Sequence, residues 1–304
     1  MLVSELCWGS VRQGSLLELL DAAALGGFGS ITVPPPWFAA ARAAGHGDSE
    51  LRRRLDDTGL AVGYIDAVTA GLPGQPAQST PERYANTLDD CLAAAHGLGA
   101  PSINVAHFGG AAIDVGLLSA AIGEMAECAR KDGLGLTVEF IPGTGIPDLA
   151  TAVRIVTDLG AAAVGVLFDT WHHYRSVRSV ADGAAVPFGL VHAVQLSDMG
   201  AARVASWGAG DPGAMQRNAR YVPMTGRLLP GEGVLPSAGV VASLLEVRPE
   251  VPLGVEVFSD ELKALSVEQA AKRCAVALAG CFPQAQSPHP ISTNVPNKQE
   301  NPLR

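Results

Sequence analysis

An α/β fold, and within that class a single-domain (β/α)8 TIM barrel, is what the sequence predicts, on three observations. Eight short apolar runs alternate with helical patterns along most of its 304 residues. Most runs begin roughly 25–40 residues after the one before, the length of a βα unit. The first run is followed by Gly9-Ser10-Val11-Arg12-Gln13-Gly14, which is not the glycine fingerprint of a doubly wound dinucleotide fold.

The strand candidates are Val3–Trp8, Ser30–Val33, Ala61–Ile65, Ser102–His107, Leu136–Phe140, Val164–Asp169, Val191–Leu196 and Leu253–Phe258. Helices are expected at Leu16–Leu25, Ser49–Asp57, Leu117–Lys131, Asp148–Leu159 and Ser237–Leu245. Ser79-Thr80-Pro81-Glu82 offers a cap and a first-turn proline, with Tyr84, Leu88, Cys91, Ala95 and Leu98 following at helical spacing. Ser266-Val267-Glu268-Gln269 is a capping box ahead of Ala270, Cys274 and Ala277. The barrel is assigned to 1–283. The stretch 284–304, rich in Pro, Asn, Gln and Ser, is expected to be a disordered tail. Between Met199 and Glu232 lies a long Gly/Arg/Pro-rich segment without periodicity, expected on the catalytic face and to shape specificity.

Composition narrows the function. Hydrophobic residues are 48% and charged residues 17%, enough for a large core. A net charge of −9 argues against nucleic acid and anionic membranes as partners, because phosphate binding needs a basic surface. No apolar run is long enough to span a bilayer, and Met1-Leu2-Val3-Ser4-Glu5 has no basic signal-peptide region. Five scattered cysteines (Cys7, Cys91, Cys128, Cys274, Cys281) without a C-x-x-C pair point to a reduced, cytoplasmic protein. Only four lysines occur and none falls at a strand end, so Schiff-base chemistry lacks its nucleophile.

Barrel enzymes carry their chemistry at the C-terminal ends of strands. Four consecutive strands carry Glu139, Asp169, Gln195 and Glu256 there, each flanked by apolar residues. Three carboxylates facing one another repel strongly in a low dielectric, and a divalent cation resolves this. Glu139, Asp169 and Glu256 would be anionic ligands and the Gln195 carbonyl the fourth. An all-oxygen set favours Mg²⁺, Mn²⁺ or Co²⁺ over Zn²⁺. The alternative for any one of them is an ordinary polar strand end paired with an arginine.

The chain resembles the xylose isomerase-like TIM barrel superfamily, the sugar phosphate isomerase/epimerase group, over about residues 1–282. Four stretches carry the resemblance: Val138-Glu139-Phe140, Phe168-Asp169-Thr170-Trp171-His172, Val194-Gln195-Leu196-Ser197-Asp198 and Val255-Glu256-Val257-Phe258. Leu229-Pro230-Gly231-Glu232-Gly233 is similar to a Pro-Gly-Glu-Gly turn of these proteins. The resemblance implies one divalent metal on the matching Glu, Asp and Glu, with Glu139 and Glu256 also acting as acid and base on opposite faces of a substrate. Its strand-seven ligand is usually His. Gln195 departs from that and is similar to the 3-dehydroshikimate dehydratase branch, a lyase. Members are often oligomers, which implies a homo-oligomer here.

The expected chemistry is proton transfer next to a carbonyl. A metal on a carbonyl and an adjacent hydroxyl stabilises the enediolate, and a glutamate removes the α-proton. Isomerisation, epimerisation and dehydration share that intermediate. His172, which the resemblance places near substrate oxygens, joins the catalytic set. His107, Arg227, Trp8 and Trp37 are candidate substrate contacts. Each has a plainer reading: structural histidine, solvated loop arginine, core aromatic. Arg175 is a weaker candidate of the same kind as Arg227. His173 and His192 read as packed histidines, His192 because strand alternation turns it away from Gln195. Gly208-Ala209-Gly210-Asp211-Pro212-Gly213 matches a dinucleotide motif by letters but follows no strand and carries Pro where a helix would start. A metal-dependent isomerase or epimerase of a sugar- or cyclitol-like hydroxy-carbonyl compound is therefore expected, with a hydro-lyase as the alternative. An endonuclease would need a His-rich site and a basic face, and a non-enzymatic barrel would tolerate loss of Glu139.

Overall fold

A parallel strand covered on both faces reads as a short apolar run, and each of the eight runs forms one. The computed structural model describes residues 3–75, 85–110, 113–160, 164–176, 186–201 and 225–283. The strands are β1 (Ser4–Leu6), β2 (Ser30–Val33), β3 (Ala61–Val68), β4 (Ser102–Ala106), β5 (Gly135–Glu139), β6 (Val164–Asp169), β7 (Val191–Leu196) and β8 (Leu253–Val255). Each pairs in parallel with its sequence neighbours, and β1 also pairs with β8, which closes the barrel.

Ten helices occur among the described residues: α1 (Leu16–Gly26), α2 (Pro35–Ala43), α3 (Asp48–Thr58), α4 (Leu88–Leu98), α5 (Val115–Lys131), α6 (Leu149–Leu159), α7 (Thr170–Ser176), α8 (Ser237–Val247), α9 (Asp260–Lys263) and α10 (Val267–Cys281). Local signals set their ends. Ser266 and Gln269 form the expected capping box, and Asp148 caps α6. α4 starts at a box made by Thr87 and Asp90. The start signal read at residues 79–82 lies outside the described residues, as do the tail at 284–304 and the glycine motif at 208–213.

Three helices escaped the sequence reading. α2 begins with prolines at its first positions, where a missing N–H costs nothing. Trp37 therefore sits on this helix, beyond the end of β2. Trp8 likewise opens a short 3-10 turn (Trp8–Val11) beyond β1. α7 starts directly at the end of β6, and α9 is a single turn capped by Ser259.

Two apolar layers follow from strand alternation. Leu136, Val138, Val164, Val166, Phe168, Val194 and Leu196 join the large core between strands and helices. Tyr64, Leu167 and Ala193 form a separate cluster. They lie two residues before Asp66, Asp169 and Gln195, so they make an apolar floor under the polar mouth. No helix among the described residues is long and apolar enough to cross a membrane.

Candidate active site

Parallel register brings the four strand-end polar residues together. Glu139 ends β5, Asp169 ends β6 and Glu256 follows β8, while Gln195 pairs with Asp169 on one side and Gly254 on the other. All four are buried.

Asp169 uses both oxygens. Oδ1 accepts the backbone N–H groups of Trp171 at 2.6 Å and His172 at 3.0 Å, which starts α7. Oδ2 accepts from Arg227 Nη1 at 2.7 Å. Burial raises Asp169, but Arg227, His172 and these hydrogen bonds outweigh it and hold it below its ordinary value. Glu139 Oε2 accepts from Asn104 Nδ2 at 2.9 Å, and its Oε1 lies 3.5 Å from His172 Nε2. Glu256 Oε2 lies 3.4 Å from Arg227 Nη1. Burial holds both glutamates well above the usual carboxylate range, and Asp66 and Asp169 repel each of them further.

His172 sits over this group. Burial drives it down to about 3 against the pull of Asp169, so its ring is neutral at ordinary pH. Its Nε2 lies 3.3 Å from Arg227 Nη2, a pure donor, which puts the ring proton on Nδ1. Nδ1 has no hydrogen-bond partner among the described residues.

Arg227 is neither solvated nor at the surface. Its side chain is fully buried, with the guanidinium carbon 4.6 Å from the Trp171 ring and 5.1 Å from Phe258. It supplies the arginine pairing that the sequence leaves open for a lone strand-end carboxylate. The Pro-Gly-Glu-Gly turn explains its position. Asp198 accepts the N–H groups of Met199, Gly231 and Leu235 and bridges to Leu228, fixing the chain on both sides of the turn. A Cβ on Gly233 would collide with Asp198 Oδ1 and the Met199 backbone, so the turn requires glycine there. Residues 202–224 of the long segment lie outside the described residues.

Several polar residues around the site were missed in the sequence. Asp66 on β3 accepts from Trp8 Nε1 and Asn104 Nδ2, both at 2.9 Å, and burial raises its pKa. Asn104 thus spans Asp66 and Glu139, while its Oδ1 accepts from Thr137 at 3.1 Å. Tyr64 accepts from Gln195 Nε2 at 3.1 Å, which turns the Gln195 carbonyl away. That buried Oε1 has no partner among the described residues. Glu5 lies deeper, holding Ser30 Oγ at 2.8 Å, and burial pushes it up to about 7. A polar residue inside an apolar strand was the available signal for Glu5, Tyr64 and Asn104. Asp66 lies one residue past the expected end of strand three.

The remaining candidates each have their own packing or hydrogen-bond partners. His107 has both ring nitrogens engaged, Nε2 with Pro73 O at 2.9 Å and Nδ1 with the Gly145 N–H at 3.0 Å, which ties two loops together. Trp8 stacks edge-on with Trp37 at 6.2 Å and Phe258 at 5.7 Å, walling the Asp66 side. Arg175 lies 4.1 Å over Trp171. His173 packs on Phe140 and Phe168. His192 packs over Gly165, which shares a face with Leu167 and Asp169. A register shift between Val166 and Leu167 breaks the alternation that was to turn His192 away, although it remains a packed histidine.

The donor set fits a divalent cation. Glu139, Asp169 and His172 offer ligand atoms within 4.8 Å of one another, and the Gln195 carbonyl is buried without a partner. Of the set read from sequence as Glu139, Asp169, Gln195 and Glu256, that cluster holds Glu139 and Asp169, with His172 as its third member and Glu256 outside it.

A description of the xylose isomerase-like TIM barrel family matches residues 19–276. Curated proteins give no significant match. Among solved structures, an IolI protein with a bound zinc atom aligns with a TM-score of 0.73 and 14% identity, over 94% of this chain and 100% of that one. The probable 3-DHS dehydratase AsbF from Bacillus anthracis aligns at 0.66 and 14% identity, over 91% and 99%. D-Psicose 3-epimerase with D-tagatose, from Clostridium cellulolyticum H10, aligns at 0.61 and 12% identity, over 94% and 100%.

Proposed function

We propose a function from one premise: the chain belongs to the xylose isomerase-like TIM barrel family. The reading is a divalent-metal-dependent isomerase or epimerase of a sugar- or cyclitol-like hydroxy-carbonyl compound. One observation carries it. Two glutamates, Glu139 and Glu256, stand three strands apart around one buried mouth, both held above the usual carboxylate range by burial. A carboxylate raised toward neutrality is a suitable proton acceptor and, once loaded, a suitable donor.

Glu139, Asp169, Gln195 and Glu256 would hold the metal, with His172 Nε2 as a further donor. When bound, the cation supplies electrophilic polarisation of a carbonyl, which acidifies the neighbouring C–H. The other steps belong to the protein. One glutamate accepts the α-proton and the other returns a proton, to the opposite face in an epimerisation or to the adjacent carbon in an isomerisation. Asn104 keeps the Glu139 carboxylate oriented. Neutral His172 keeps its Nε2 lone pair facing the carboxylates, with its ring proton on Nδ1. Trp8, Trp37 and Phe258 wall the mouth, and His107 ties together the loops at Pro73 and Gly145. The five cysteines, all unbridged, suit a cytoplasmic setting.

Gln195 supports a second reading, dehydration. Loss of a β-hydroxyl after proton removal uses the same two glutamates, one as base and one as acid to the leaving group. The AsbF likeness suits that reading at the level of the fold.

Elemental mass spectrometry on protein purified without chelators tests the metal, with about one equivalent of Mn, Mg or Co expected and less in Glu256→Gln. A screen of hydroxy-carbonyl compounds in ²H₂O then separates the reactions. Deuterium entering a product without ultraviolet absorbance supports the isomerase, and a new conjugated chromophore supports the lyase. No metal after dialysis against Mn²⁺ would overturn both.

A further inference from the structure

We propose that Arg227 is an internal counter-cation that competes with the divalent metal for the same lone pairs. The inference rests on the metal-dependent reading of this site. The guanidinium donates to Asp169 Oδ2 at 2.7 Å, and its contacts to Glu256 Oε2 and His172 Nε2 are 3.4 and 3.3 Å. His172 Nε2 is itself 3.5 Å from Glu139 Oε1 and 3.6 Å from Asp169 Oδ2. Arg227 therefore faces the atoms that three donor residues would turn toward a metal. A guanidinium offers donors only, so a lone pair it occupies is not open to a cation at the same time. Two positive groups in one buried mouth also repel.

The backbone of Arg227 is anchored independently of its side chain. Arg227 N donates to Phe258 O at 3.2 Å, Gly226 bridges to Ser259, and Leu228 bridges to Asp198. Those contacts fix the main chain on both sides. The guanidinium instead lies against the faces of Trp171 and Phe258, contacts that tolerate sliding, and its Nε has no partner among the described residues. The metal-free protein thus keeps Asp169 and Glu256 paired, and loading the site requires the guanidinium to leave them. Arg227 raises the metal concentration needed for loading and keeps the unloaded barrel folded.

Titration of chelator-stripped full-length protein with Mn²⁺ tests this, by calorimetry and by thermal unfolding. Arg227→Met is expected to bind Mn²⁺ at least tenfold more tightly than wild type. Without metal it is expected to melt lower, and Mn²⁺ is expected to raise its Tm by more than it raises that of wild type. Arg227→Lys, which keeps the charge without the fork, is expected to fall between them. If Arg227→Met does not fold without metal, it is prepared in Mn²⁺ and then treated with EDTA. Unfolding of the variant alone supports the competition, and equal behaviour of the two proteins overturns it. Equal or weaker Mn²⁺ affinity in Arg227→Met overturns the role of Arg227 while the metal reading stands. No Mn²⁺ uptake by either protein overturns both.

Discussion

Replacing Glu5 by Gln should make the protein more stable at neutral and alkaline pH and leave it nearly unchanged in acid. Glu5 is buried beneath the site, and burial raises its pKa from 4.5 to about 7 against the opposing hydrogen bond from Ser30. The folded protein therefore keeps a proton that the unfolded chain loses, over the window between pH 4.5 and about 7. Stability contributed by this group is fully present below pH 4.5. It falls as the pH rises through that window and reaches its full loss above about 7. One pKa unit corresponds to about 1.4 kcal/mol, so the loss is about 3 kcal/mol. Gln keeps the shape and an acceptor for Ser30 but does not titrate. Urea unfolding of wild type and Glu5→Gln at pH 5 and pH 8, in chelator, isolates the effect, because other groups titrate alike in both. The stability difference between the two proteins should grow by about 3 kcal/mol from pH 5 to pH 8. Parallel pH dependence in the two proteins would refute the reasoning.

Three further outcomes follow from the mouth and its supports. Asn104→Ala removes the donor shared by Asp66 and Glu139 and should cost about 2–3 kcal/mol in urea unfolding. Solvent deuterium incorporation should fall with it, because Glu139 loses its orientation. Tyr64→Phe strands the buried Gln195 amide, which should cost about 1–2 kcal/mol and weaken Mn²⁺ binding measured by calorimetry. Asp198→Ala unpairs three backbone N–H groups and should cost about 3 kcal/mol or more. It should also loosen the segment bearing Arg227, seen as faster amide exchange at Gly231 and Leu235.

The strands were legible because barrel strands are covered on both faces and therefore print as uniform apolar runs with a polar last residue. Glu139 and Asp169 are such residues, and β6 and β7 formed over the runs read for them. The first helix after β2 was not legible, because Pro34-Pro35-Pro36 reads as a break until Pro35 is placed at a first helical position, where it is favourable. His192 illustrates a different loss. Counting alternation from Gln195 assumes an unbroken ladder, and the shift at Val166 is not written in either strand alone. Arg227 is a third case. Sequence placed it beside a turn, but its reach into the carboxylates depends on Asp198, nearly thirty residues earlier, gripping that turn. Asn104 was plain as an amide in an apolar strand. Its two acceptors lie on different strands, 38 and 35 residues away, and parallel pairing of β4 with β3 and β5 brings them to one side chain.

The grip of Asp198 bears on how such a barrel can be rebuilt. The chain leaves β7 at Asp198 and comes back at Leu228, and these two positions are stitched directly to each other. The span between them enters and leaves through one narrow clasp. Its length and wording can therefore be rewritten, by evolution or by an engineer grafting a loop from another barrel, while Arg227 is delivered to the same place. The span above the clasp and the buried carboxylates beneath it become separable modules, joined at a single side chain.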